Sequence, residues 1–212
     1  EVAPLSSIVF TEIMHDAGVP KGVFNLIQGD SKIGIAMSKH SDIDMISFTG
    51  STKAGISVAK NSASTVKRVT QELGGKSGNI ILRDANFEKS FKKGLFGCMN
   101  NSGQSCNAPT RMIIPVEKMK NAIDLSKELI KTIVLGDPKN PETTLGPLVN
   151  KLQFEKVKNY INIGVTEGAT LVTGGSVLPE SINKGYYIQP TIFANVKNTM
   201  SIAREEIFGP VL

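Results

Sequence analysis

Apolar residues along this chain switch repeatedly between two spacings, one of every third or fourth position and one of every second, with short polar joins between. The first spacing buries a helix face and the second buries one face of a strand. Such alternation constrains the fold to an α/β architecture with a mainly parallel sheet, because parallel neighbours need a crossover element between them. Helical spacing is expected over Leu5 to Ala17, stopped by Gly18 and Pro20, over a capped Ser31 to Lys39, and from about Thr52 to Ser62. Further on it recurs from the Asn86 cap with Phe87, Phe91 and Leu95 on one face, from Val116 to Val134, and from Val149 to Glu167. Strands are expected at Val23 to Ile27, Met45 to Phe48, Val66 to Thr70, Asn79 to Leu82, Arg111 to Ile114, near Thr170, and at Tyr187 to Phe193. The glycine pair Gly74-Gly75 is the expected boundary, dividing residues 1–74 from residues 75–212.

Composition narrows the class of protein. The 212 residues are 40% hydrophobic and 20% charged, which is ordinary for a globular chain with a real core. The net charge of +5 comes from Lys-rich helical segments such as Glu88 to Lys93, with no basic stripe interleaved with aromatics, so no nucleic-acid partner is expected. No apolar run approaches the roughly 18–20 residues of a membrane helix, so no membrane partner is expected either. Two cysteines, Cys98 and Cys106, are too few for a disulfide framework and point to a reducing, cytoplasmic setting. The chain starts at Glu1 and stops within an apolar run at Val211-Leu212, as expected of a fragment.

Three stretches could carry chemistry. In FTGSTKAGISV, Phe48 to Val58, a strand ends at Gly50 and a helix begins near Ser51, which offers backbone N–H groups and a positive helix end to a phosphate. It is no P-loop, since Ile56-Ser57 replace the required Lys-Ser/Thr, and it reads equally as a plain strand–turn–helix corner. In QELGGKSGN, Glu72 follows a strand and precedes two glycines, a suitable place for a general base or for an ordinary surface carboxylate. In GCMNNSGQSCNAPTR, Cys106 sits in a polar loop, whereas Cys98 has Phe96 and Met99 beside it. A thiol needs a cation, a helix end or a backbone cradle to become a nucleophile, so Cys106 alone is either a nucleophile or an inert loop thiol. His15 and His40 read as capping or surface residues, and no metal site is expected.

Together these stretches resemble the NAD(P)-dependent aldehyde dehydrogenase superfamily. FTGST at 48–52, ELGGKS at 72–77, GQSC at 103–106 and EEIFGP at 205–210 stand in the family's order, with LGP at 145–147 and GYYIQPT at 185–191 also similar. The resemblance covers the whole chain and implies an internal fragment: the C-terminal part of a Rossmann-type NAD(P)-binding domain over 1–74, then an α/β catalytic domain over 75–212, truncated at its C-terminus. It implies oxidation of a small-molecule aldehyde to a carboxylic acid with NAD as hydride acceptor, or NADP. It assigns Cys106 as the nucleophile forming a thiohemiacetal and then a thioester, with its own backbone N–H helping to hold the oxyanion. Glu72 becomes the general base that activates water. Gly50, Ser51, Thr52 and Gly55 become the pyrophosphate-side loop. Glu206 and Phe208 become the contacts at the nicotinamide end, Glu1 the adenosine-ribose glutamate, and Asn107 a lining residue of the aldehyde pocket. A homodimer or homotetramer is implied for the full-length protein.

Gln71, Gly78 and Met99 depart from the commoner family residues at their positions. The family's oxyanion-hole asparagine and cofactor-binding lysine are expected upstream of Glu1. A cofactor-free cysteine hydrolase or acyl transferase would need His15 or His40 as partner base, and a non-catalytic folded fragment would be aggregation-prone through its open sheet edges.

Overall fold

Four helices begin where a short polar side chain accepts a hydrogen bond from a first-turn N–H, which satisfies a donor that the helix itself leaves free. Asp30 accepts from Lys32 at 2.8 Å, Ser51 from Ala54 at 3.3 Å, Asn86 from Lys89 at 3.1 Å and Asn150 from Gln153 at 2.9 Å. The computed structural model describes residues 1–178, 182 and 184–212. It divides into two compact units, Glu1–Gly74 and Gly75–Leu212.

The first unit contains α1 (Leu5–Asp16), α2 (Ser31–Lys39), β1 (Met45–Gly50), α3 (Thr52–Ser62) and β2 (Arg68–Leu73). β1 and β2 are parallel, in register from Met45 opposite Arg68 to Gly50 opposite Leu73, and α3 is the crossover between them. Gly55 lets α3 approach β2: a Cβ there would lie 2.5 Å from Leu73 Cδ2. The segment Val23 to Ile27 is not a strand. Val23 and Ile27 are exposed, and without a ladder partner an apolar run has nothing to hold it extended. β2 begins two residues later than its apolar pattern suggests, because Val66 closes a tight turn at φ 55°.

The second unit contains β3 (Gly78–Ile80), α4 (Phe87–Met99), β4 (Arg111–Ile113), α5 (Met119–Ile130), α6 (Lys151–Thr166), β5 (Thr170–Thr173), β6 (Ile192–Ala194) and the short α7 (Ser201–Arg204). β3 and β4 are parallel, with Gly78 opposite Arg111. β5 and β6 are antiparallel with an irregularity between Leu171 and Thr173, so the sheets are not wholly parallel. The expected strand from Tyr187 forms only from Ile192, with Thr191 bridging to Val211. The expected helix from Val116 to Val134 starts as a tight turn and ends at Ile130. Two apolar clusters support this unit. One gathers Phe87, Phe91, Leu95 and Cys98 of α4 with Leu145 and Ile192, and the other gathers Val157 and Ile161 of α6 with Ile202, Ile207 and Val211.

Among the described residues, no helix is long and apolar enough to cross a membrane.

Candidate active site

In the first unit, β1 ends at Gly50 and α3 begins immediately after it. Ser51 caps the helix in an extended conformation, its carbonyl accepts from Gly55 N–H at 2.9 Å, and no acidic side chain occupies the first turn. The corner therefore keeps its positive helix end uncompensated. Gly50 is not a left-handed turn residue. It pairs with Leu73 in the ladder, and a Cβ on it would lie 2.6 Å from the tip of the Phe48 ring, which would have to move aside. Thr52 is the first helical residue. Gln71 donates to the Gly55 carbonyl at 2.6 Å and ties β2 to α3. Glu72 lies inside β2, opposite Thr49, rather than after the strand, and is exposed. Glu1 is exposed ahead of α1. His15 lies in the last turn of α1 and His40 caps α2, where its Nδ1 accepts from Asp42 N–H at 3.2 Å.

In the second unit the motifs that are distant in sequence converge. Asn101, Ser102 and Gly103 take φ of 50°, 56° and 70°, a left-handed turn that leads α4 into the cysteine loop. Glycine is required at 103 both by that φ and by space, since a Cβ would overlap the Gly209 carbonyl of the IFGP stretch. The buried Ser102 hydroxyl donates to the Gly146 carbonyl of LGP at 2.8 Å. Gln104 Oε1 accepts from Val149 N–H at 3.0 Å, and Gln104 Nε2 donates back to Asn101 at 3.2 Å. On α6, Gln153 Nε2 donates to the carbonyls of Ile207 and Phe208 at 2.9 and 2.7 Å, holding Phe208 at φ 59°. The cysteine loop is thus hydrogen-bonded to the LGP stretch and packed against IFGP, which α6 holds through Gln153.

Cys106 is exposed at the far side of that loop, while Cys98 is fully buried in the α4 cluster with its Sγ 3.7 Å from the Val211 carbonyl. Burial pushes the Cys98 thiol up to about 12, against the pull of Lys76. Asn107 is exposed, and its Oδ1 accepts the Ser105 hydroxyl at 2.7 Å. Glu206 is partly buried and acts electrostatically on Lys76. Burial lowers the Lys76 amine to about 8, with Arg111 adding to the fall and Cys98 and Glu206 opposing it. An apolar cavity of about 310 Å³ reaches from Lys76 past Met112 and Ala122 to Leu212, and none of the sequence-predicted site residues lines it. Among the described residues no three His, Cys, Asp or Glu side chains stand close enough to share a metal ion. Sequence reasoning missed Gln153, Ser102 and Lys76. Gln153 lies three residues from the Asn150 cap on a helix whose apolar spacing says nothing about its partners.

The Aldehyde dehydrogenase family matches the chain over residues 1–212. This chain belongs to the aldehyde dehydrogenase family. It is 50% identical over its whole length to a 3-succinoylsemialdehyde-pyridine dehydrogenase of Pseudomonas sp, of which it covers 45%. Its fold matches a mutant of aldehyde dehydrogenase C from Pseudomonas syringae, complexed with NAD+ and octanal, at TM-score 0.97 and 51% identity, covering 99% of this chain and 43% of that one. It also matches the NAD+ complex of a Bacillus cereus aldehyde dehydrogenase at TM-score 0.93 and 41% identity, with 99% and 42% covered. The two units are therefore part of the α/β fold of aldehyde dehydrogenases, and the chain spans less than half the length of these relatives.

Proposed function

We propose that this chain carries the nucleophile, the base and part of the cofactor site of an NAD(P)-dependent aldehyde dehydrogenase. Residues 1–74 serve as the C-terminal part of the NAD(P)-binding domain and residues 75–212 as the cysteine-bearing catalytic domain. The observation that carries the reading is the contrast between the two thiols: Cys98 is buried and held protonated, while Cys106 is exposed on a loop braced by the two other motifs.

Cys106 Sγ attacks the aldehyde carbonyl carbon, and the oxygen takes up the negative charge. Among the described residues the Cys106 N–H donates to no protein acceptor, so it is free to stabilise that oxygen. NAD(P)+, when bound, supplies the hydride acceptor, and loss of hydride from the substrate carbon leaves a thioester on Cys106. Glu72 then takes a proton from water, whose oxygen attacks the thioester carbon, and the thiolate leaves as the acid is released.

The cofactor fits the β1–α3 corner because the helix end is uncompensated and presents its free N–H groups where a strand ends. Gly50, Ser51, Thr52 and Gly55 would hold the phosphate side, Glu206 and Phe208 the nicotinamide end, and Glu1 the adenosine ribose. Relatives solved with NAD+ support NAD as the cofactor, with NADP as an alternative. Asn107 would line the pocket of a small-molecule aldehyde. A homodimer or homotetramer in the cytoplasm completes the reading, and the two free thiols suit that reducing compartment.

The test is NADH formation by the intact protein with short aliphatic aldehydes, together with intact-mass detection of acyl-enzyme. Cys106→Ala is expected to abolish both signals. Glu72→Gln is expected to slow turnover by about 10²–10⁴-fold while a thioester adduct accumulates on Cys106. Full turnover in Cys106→Ala would sink the reading.

A further inference from the structure

The cysteine loop is braced on both sides. On the preceding side stand the Ser102 and Gln104 contacts described above. On the following side the brace is the dipeptide Lys76-Ser77, whose neighbours begin the β3–β4 ladder. Arg111 N–H donates to the Ser77 carbonyl at 3.1 Å, and Arg111 Nη2 donates to the Lys76 carbonyl at 3.2 Å. With its backbone fixed in this way, Ser77 donates its hydroxyl to the Cys106 carbonyl at 3.3 Å. The Cys106 carbonyl belongs to the same rigid peptide as the Asn107 N–H, so holding it restricts rotation about the Cys106 Cα–C bond. The thiol and the N–H that faces the developing oxyanion both originate at that residue, and small displacements of such groups cost rate.

We propose that Ser77 is a positioning residue for Cys106, its hydroxyl holding the nucleophile's carbonyl so that the thiol and the Cys106 N–H keep one orientation. The inference rests on Cys106 being the nucleophile. It adds a specific function to the serine of ELGGKS, a stretch otherwise noted for its glutamate.

The test uses the full-length protein, limiting iodoacetamide and peptide mapping, with the buried Cys98 as internal control. In Ser77→Ala the alkylation rate of Cys106 is expected to fall about threefold to tenfold, the range open to one hydrogen bond of modest net strength. Ser77→Thr, which keeps the hydroxyl, is expected to restore it, and the aldehyde KM is expected to change less than kcat in Ser77→Ala. Equal Cys106 rates in wild type and Ser77→Ala would overturn the role of Ser77 alone. A wild-type Cys106 no more reactive than a free thiol would overturn the nucleophile reading and this inference with it. Labelling of Cys98 in Ser77→Ala would reveal general loosening and would likewise overturn it.

Discussion

Lys76 and Cys98 show how burial sets the chemistry of single residues. Desolvation disfavours the charged form of each, which moves the amine down and the thiol up. The amine titrates at about 8 in the folded chain against 10.5 ordinarily, so between those values the unfolded chain binds more protons and stability rises with pH. The thiol titrates at about 12 against 9.0, so above 9 the unfolded chain loses its proton first and stability falls with pH. The two effects add up to a rise from about pH 8 to 9 and oppose each other beyond it. Urea midpoints measured across this range should show that rise in wild type and its loss in Lys76→Met. In Cys98→Ala the rise should extend towards 10.5. A Lys76→Met profile that matches wild type would contradict the assignment.

At the scale of elements, α4 illustrates local signals and tertiary packing acting together. Its cap is local: Asn86 accepts from Lys89, and Asn86→Ala is expected to cost about 1 kcal/mol. Its apolar face is tertiary: Leu95 is fully buried among residues from α4, α5 and the Leu145 loop, and Leu95→Ala is expected to cost about 2–5 kcal/mol. Denaturant unfolding of the two variants should reproduce that order. A reversed order would mean that the helix is held by its own propensity and not by the core. The same division explains which elements were legible beforehand. α1 follows its apolar periodicity, and α2, α3 and α4 follow both caps and periodicity, almost to the residue. The segments 23–27 and 187–191 were expected as strands and are not, because strand formation depends on a neighbour that the local pattern does not reveal.

For the molecule as a whole, the two units differ in what holds them. Among the described residues, all of the buried apolar side chains lie at Ile81 or later, while the buried side chains of the first unit include Ser38, Ser62 and Lys67. α1 contributes no buried residue, and Leu5, Val9 and Ile13 are exposed. Hydrophobic burial is the main source of stability, so resistance to opening should concentrate in residues 81–212. Hydrogen exchange followed by peptide mass analysis should show the slowest amides in α4 and α6 and fast exchange throughout α1. Equal protection in α1 and α6 would show that some other contact stabilises the first unit.

The cysteine loop separates what each level of information decides. Family membership, the Asn86 cap, the helix start at Ser51 and the identities of Cys106 and Glu72 as candidates were all legible from residue order, because each depends on short-range chemistry or on a motif that is contiguous in the chain. The sequence by itself also distinguished the two thiols by their neighbours, and the structure places one exposed and one buried. Only the tertiary structure brought Ser102 to Gly146, Gly103 to Gly209, Gln153 to the Phe208 carbonyl and Ser77 to Cys106. Those contacts join residues far apart in the chain through backbone carbonyls, which every residue type carries alike. A carbonyl acceptor has no sequence signature, and so the bracing of the cysteine was decided by the fold.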